Sequence, residues 1–126
     1  MFKVMIFARR RADLDRETFI SLYENQHMVG VAKAIAEGTM PRSKDFRRNY
    51  LIKDHTANIG SPPDFDVVTE VWHESEATYA EIRAAVNRPE DAQAIMDELA
   101  TFLDLTSLTY VVVEEHCGVP ALNGPT

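Results

Sequence analysis

Residues 2–8, Phe2-Lys3-Val4-Met5-Ile6-Phe7-Ala8, govern how the rest of the chain reads. A strand turns successive side chains to opposite faces. Here Phe2, Val4 and Ile6 fall on one side and Met5 and Phe7 on the other, so both faces are apolar. Leu108 to Glu115 repeats the pattern near the far end, with Tyr110 and Val112 against Val111 and Val113. Two strands with two apolar faces each require cover on both sides of the sheet that holds them.

The segments between supply half of that cover. After the first strand, Asp15 is a good helix N-cap, Glu17 suits the first turn, and Leu14 and Phe19 stand at the positions of a hydrophobic staple. Phe19, Tyr23 and His27 follow at intervals of four and share one helix face. Gly30 is expected to interrupt this helix, with another turn or two from Val31 to Glu37. A second strand is expected from Asp45 to Asp54, a loop from His55 to Asp64, and a third strand from Phe65 to His73. Ser75 caps a helix running to about Asn87. Pro89 is expected to open a further helix, whose apolar stripe is Ala92, Ile95, Met96, Leu99, Phe102 and Leu103.

The order β-α-β-β-α-β predicts an α+β, ferredoxin-like fold with a four-stranded antiparallel sheet. Its helices cover one sheet face only. The other is too apolar to be left in water, and a second copy packed sheet to sheet is the economical cover. A homodimer is therefore expected. Residues 1–117 read as one domain and 118–126, with two prolines and two glycines, as an irregular tail.

Composition narrows the function. With 126 residues, 45% hydrophobic and 26% charged, the chain needs no disulfide or metal to fold. Its net charge of −7 argues against nucleic acid and anionic membranes as partners. The basic run Arg9-Arg10-Arg11 reads as a solvated loop or as a site for a substrate carboxylate. No 18-residue apolar stretch or signal peptide is read, and the single Cys117 fits a cytoplasmic location. Zinc-type spacings, a phosphate loop and a dinucleotide motif are absent, so cofactor-free chemistry is expected, with no metal site.

His27 is the leading candidate for that chemistry. The helix dipole favours its imidazolium and burial opposes it, a balance that suits general acid–base work. The competing reading is a core or C-capping histidine bonded to a helix carbonyl. Tyr50 and its neighbours Asn49 and Arg48 could orient a substrate oxygen from the sheet. Glu70 and Trp72 share a strand face, and a carboxylate there must be paired, solvated or functional. His73 points the opposite way and is expected to be exposed.

The chain also resembles the EthD-like family of the dimeric α/β-barrel superfamily. The resemblance rests on Val4-Met5-Ile6-Phe7-Ala8-Arg9-Arg10, Leu14-Asp15-Arg16-Glu17-Thr18-Phe19 and Tyr23-Glu24-Asn25-Gln26-His27. It continues through Phe65 to Trp72, Asp97-Glu98, Phe102-Leu103-Asp104 and Glu114-Glu115. It implies a ferredoxin-like subunit in a dimeric barrel, with His27 at a pocket between sheet and helices. Relatives carry cofactor-free chemistry on aromatic or polyketide-like compounds: decarboxylation, dehydration, cyclisation or isomerisation. Two departures stand out. Met28-Val29-Gly30 follows the histidine where the family often has proline and leucine. Lys53-Asp54-His55 is the nearest match to an asparagine–histidine pair late in strand two, which makes His55 a second histidine candidate.

The resulting expectation is a lyase or isomerase for a small aromatic or polyketide-like substrate. His27 moves a proton, Tyr50 and Asn49 hold the substrate oxygen, Phe7, Tyr23 and Trp72 supply apolar walls, and Arg9 or Arg48 neutralises a carboxylate. Glu70 and His55 complete the candidate set. A cofactor-independent oxygenase is the alternative enzyme. A non-catalytic dimeric binding module is the other class, and it predicts a backbone-bonded His27 and no cavity.

Overall fold

A computed structural model describes residues 1–55, 57 and 60–119. Strand β1 (Phe2–Arg10) leads into α1 (Arg16–Leu22), a π-helical turn (Tyr23–His27) and α2 (Met28–Ala36). Then come β2 (Asp45–Tyr50), a 3-10 turn (Lys53–His55), β3 (Val67–His73), α3 (Glu76–Val86), α4 (Ala92–Ala100) and β4 (Leu103–Val113). The sheet has the order β2-β3-β1-β4 with every neighbour antiparallel. The architecture is the expected α+β, ferredoxin-like one.

Local chemistry sets the helix starts. Asp15 accepts a hydrogen bond from the Thr18 amide at 2.7 Å, and Ser75 accepts one from the Thr78 amide at 3.2 Å. Each satisfies an amide that the first turn leaves without a partner. Gly30 does not break the first helix. A glycine costs about 1 kcal/mol against alanine in a helix, too little to end one held by its neighbours. The last helix begins at Ala92 after Asp91, so Pro89 lies in the preceding turn.

Strand β4 starts at Leu103, five residues earlier than its apolar pattern suggests. Phe102 and Leu103 continue the helical stripe in sequence, yet both are buried after the helix has ended. The register explains the length. Phe7 pairs with Thr109, whereas Arg9 pairs with Asp104, so β4 bulges between them. The Ser107 hydroxyl accepts from the Arg9 amide at 2.7 Å and fills the gap in the ladder.

The two faces of the sheet differ. Val4, Ala8, Val67, Thr69, Val71 and His73 are buried toward the helices. The core there joins Phe19, Tyr23, Leu99, Phe102 and Leu103 to Ala8 and Val67. The opposite face carries Met5, Phe7, Val68, Trp72, Val111 and Val113, together with Lys3 and Glu70. Among the described residues no helix is long and apolar enough to cross a membrane. Of the tail expected at 118–126, residues 120–126 lie outside the described residues, as does Asn58 of the expected loop.

Candidate active site

The first helix aims its histidine through a local irregularity. At Tyr23–His27 the Met28 amide bonds to the Tyr23 carbonyl, a π-type closure that puts one extra residue in the turn. The Tyr23 ring is anchored below, its hydroxyl 2.8 Å from Thr69 Oγ1 on β3. The His27 ring then packs against Tyr23 and Phe102, both with centroids 5.4 Å away.

His27 Nδ1 lies 2.5 Å from Glu98 Oε1 on α4. Gln26 Nε2 donates to the other oxygen of that carboxylate at 3.1 Å and to Thr101 Oγ1 at 2.9 Å. A carboxylate at Nδ1 selects the tautomer that leaves the Nε2 lone pair free. Nε2 has no partner among the described residues. Glu98 went unrecognised as a functional candidate in the sequence. Its signal was present: it sits between Ile95, Leu99 and Phe102 on an apolar helix stripe, where a carboxylate is out of place.

His27 and Glu98 form part of the wall of a cavity of about 500 Å³ between the covered face of the sheet and the helices. That is the size of a small-molecule site. Its lining is mainly apolar, with Val71 and Ile6 from the sheet and Ile82, Val86, Ile95 and Leu99 from the helices. His73 also lines it, contrary to the expectation of an exposed side chain. His73 shares the inward parity of Val67, Thr69 and Val71, is 3% exposed, and its Nδ1 has no hydrogen-bond partner among the described residues. Burial lowers its pKa below the usual 6.5.

The other candidates divide into two groups. On the helix side, Arg48 holds Glu24 with two contacts, at 2.5 and 2.9 Å, and the Tyr50 hydroxyl donates to the same carboxylate. The arginine lowers the Glu24 pKa, while burial raises that of Tyr50 and pushes that of Tyr23 up to about 12. Both phenols therefore stay protonated. Tyr50 touches the Tyr23 ring but does not line the cavity, so a role holding substrate oxygen does not follow from its position.

Phe7, Arg9, Asn49, Glu70 and Trp72 lie on the opposite face, because the pleat alternates and their parity is odd relative to His73. Asn49 donates to Glu70 at 3.0 Å, Lys3 pairs with Glu70 at 2.8 Å and sits 4.3 Å from the Trp72 ring centre, and Phe7 packs edge-on to Phe65. Arg9 is held by Asp104 and Asp64, both at 2.9 Å. These residues and His27 do not meet in one subunit. His55 is exposed in the 3-10 turn, away from the cavity. Among the described residues no group of three His, Cys, Asp or Glu side chains is placed to hold a metal ion.

With this geometry in hand, the relationship to known proteins can be stated. Residues 11–106 match the EthD domain. The chain belongs to the EthD family. An EthD family protein from Bacillus halodurans superposes with a TM-score of 0.57 at 19% identity, covering 92% of this chain and all of that one. At3g17210 from Arabidopsis thaliana gives 0.58 at 13%, covering 94% and 99%. A dimeric ferredoxin-like protein of unknown function from Bacteroides fragilis gives 0.52 at 14%, covering 90% and 95%. These likenesses show the ferredoxin-like fold. No curated protein matches the chain.

Proposed function

We propose that this EthD protein is a cofactor-free lyase or isomerase for a small aromatic or polyketide-like compound, with His27 as general acid and base. The observation that carries the reading is the 2.5 Å Glu98–His27 pair at the wall of an apolar cavity of about 500 Å³. Dehydration, cyclisation and isomerisation each need a proton removed at one atom and returned at another. Decarboxylation needs one delivered to the carbanion left behind. A positioned imidazole with a free nitrogen performs either task, for about 10²–10⁴-fold in rate. The mainly apolar lining suits the body of an aromatic substrate, and the aromatic contacts behind His27 keep its ring from turning.

The assembly we propose is a homodimer through the open sheet face, with residues 1–117 as its domain. Met5, Phe7, Val68, Val111 and Val113 give that face its apolar character. The Bacteroides fragilis neighbour with this fold is dimeric. A lyase reaction also has a counterpart on this scaffold: a hydroxynitrile lyase from Passiflora edulis shares the fold at 11% identity and a TM-score of 0.50. The unpaired, exposed Cys117 is in keeping with a cytoplasmic location.

The test is a thermal-shift screen of aromatic and polyketide-like compounds on wild type and His27→Ala, followed by turnover assays without added cofactor. The expected result is a hit whose stabilisation depends on cavity residues and whose turnover needs His27. Stabilisation indifferent to both would sink the reading. Oxygen uptake during turnover would replace it with the oxygenase.

A further inference from the structure

His27 accounts for proton movement, but neither residue expected to hold the substrate oxygen is placed to do so. Tyr50 does not line the cavity, and Asn49 donates to Glu70 on the opposite face. Most polar groups that do line it are committed or lie toward its far end. Thr39 donates to the Ala34 carbonyl, Asn87 to the Arg83 carbonyl, and Arg88 pairs with Asp91. Tyr79 packs against Phe2 and His73, and His73 is four residues along β3 from Thr69. Ser43 precedes β2 at that same end, where Asp45 pairs with Trp72.

Tyr110 is different. It lines the cavity from β4, and no acceptor among the described residues receives its hydroxyl proton. Its place follows from the register: Tyr110 pairs with Ile6, and Ile6 with Thr69. Thr69 in turn lies 2.8 Å from the Tyr23 hydroxyl, and the His27 ring packs on Tyr23 with centroids 5.4 Å apart. One row across the sheet thus runs from the support of His27, over Ile6 on the cavity wall, to Tyr110. Two strand spacings, about 10 Å, separate the backbones at its ends, room for a body of one or two rings. The Arg83 guanidinium lies 4.7 Å from the centre of the Tyr110 ring and pairs with no carboxylate among the described residues. Desolvation raises the Tyr110 pKa above its usual 10 while the Arg83 charge pulls it down, so the phenol stays protonated at neutral pH and can donate.

We propose that Tyr110 is a second catalytic residue of this cavity, donating to the carbonyl oxygen of an enolisable ketone while His27 takes the proton from the neighbouring carbon. Arg83, stacked on the phenol ring, is its positioning residue. The inference rests on the cavity being the site of His27 acid–base chemistry, and it adds the group that holds the substrate oxygen. When His27 Nε2 takes the proton, the C–H electron pair becomes a carbon–carbon double bond. The carbonyl π pair moves to oxygen, and the Tyr110 O–H meets the charge that forms there. Return of the proton from His27 to a different carbon completes an isomerisation, with no oxidant or reductant needed. A donor aimed at the oxygen strengthens as charge develops, so it favours the transition state over the bound ketone. The nearby guanidinium makes the phenol a stronger donor than it would be in an apolar wall alone.

The experiment uses 2-tetralone, a ketone whose oxygen only accepts, and tetralin, which lacks the oxygen. Wild type, Tyr110→Phe, Arg83→Gln, Arg83→Lys and His27→Ala are compared by dissociation constants, by the carbonyl stretching band of bound 2-tetralone and by its deuterium uptake in heavy water. The band should fall in wild type and in His27→Ala and lose that shift in Tyr110→Phe. Arg83→Gln should lose part of it, with Arg83→Lys closer to wild type. Tyr110→Phe should weaken 2-tetralone binding about fivefold and leave tetralin binding unchanged. Deuterium uptake should be lost in His27→Ala and slowed about 10²-fold in Tyr110→Phe, the scale of one oxyanion donor. On wild type itself the Tyr110 Cζ resonance should move with 2-tetralone and stay still with tetralin, a readout independent of how any variant folds. With the probes bound, an unshifted band in wild type, a shift that survives Tyr110→Phe, or equal uptake in Tyr110→Phe and wild type overturns the proposal and leaves the cavity standing. A Tyr110-dependent shift without deuterium uptake upholds the hydrogen bond and overturns the acid–base reading of His27. If neither probe binds, both fall.

Discussion

The two faces of the sheet carry similar residue types, satisfied to different degrees. On the open face each charge has found a partner: Lys3 lies between Glu70 and Glu115, Asn49 donates to Glu70, and Arg9 is held by Asp104 and Asp64. Even the Trp72 indole donates to Glu115 at 3.1 Å. On the covered face Arg48 is paired with Glu24, but among the described residues His73 Nδ1 has no hydrogen-bond partner and His27 is held at one nitrogen only. An Asp–Arg or Glu–Lys pair has used its capacity for recognition, whereas an unpaired donor in an apolar cavity keeps it. On the proposed reading, pairing more than residue type separates the face that would assemble from the face that would bind.

The largest test of that contrast is catalytic. On the proposed reading His27→Ala lowers kcat/KM by about 10²–10⁴-fold, the usual worth of a positioned acid–base group. Glu70→Gln on the open face should change it by less than about twofold, since its carboxylate serves Lys3 and Asn49. Steady-state kinetics on the first substrate found, with circular dichroism to confirm the fold, measures both. Equal losses would erase the functional distinction between the faces.

Assembly comes next and uses one strand as its own control. Val111 and Val112 are adjacent on β4 and point to opposite faces. Val111→Glu places an unpaired charge on the open face and should weaken the proposed dimer by about 3 kcal/mol, on the scale of a buried charge without a partner. Val112→Glu, on the other side of the strand and already 53% exposed, should leave it intact. Sedimentation equilibrium reads the difference.

Much of this arrangement was legible in the sequence, for physical reasons that differ by residue. Phe2 to Ala8 and Leu108 to Val113 alternate with apolar residues on both sides, so sheet and second layer followed from the pleat alone. Asp15 and Ser75 announced their helices because capping is local. His27 was legible as a position on a helix face. Its partner Glu98 was not, since the two are far apart in sequence and meet only when α4 packs beside the π turn. The open-face candidates were joined to His27 because strand parity says which residues share a face but not which face the helices cover. His73 illustrates the cost of that ambiguity: it has the parity of Val71, and the covered side proved to be its own.

A stability comparison sharpens the contrast at smaller scale. Arg48 and Glu24 are 22% and 31% exposed and doubly bonded, whereas Arg47 and Asp45 are 65% and 45% exposed. Arg48→Ala should cost about 1–2 kcal/mol in urea unfolding, and Arg47→Ala about 0.5 kcal/mol or less. The Glu24 pKa is lowered chiefly by its hydrogen bonds to Arg48. Its stabilisation is therefore present above the ordinary glutamate value of 4.5 and lost as pH falls through the lowered one. Arg48→Ala should blunt this acid sensitivity.

The smallest effect concerns His73 and has the opposite origin from most histidine effects. No acid raises its pKa; burial alone lowers it from 6.5. Between the lowered value and 6.5 the unfolded chain binds a proton that the folded chain refuses, so stability rises with pH across that window and falls as pH drops below about 6.5. One group can contribute a slope of at most about 1.4 kcal/mol per pH unit. His73→Phe, which keeps the ring and removes both nitrogens, should flatten it. Urea unfolding at a series of pH values from 5 to 7.5 makes the measurement. A slope that persists in His73→Phe would assign the buried titration to another group, and the covered face would lose one of the unpaired nitrogens that set it apart from the open one.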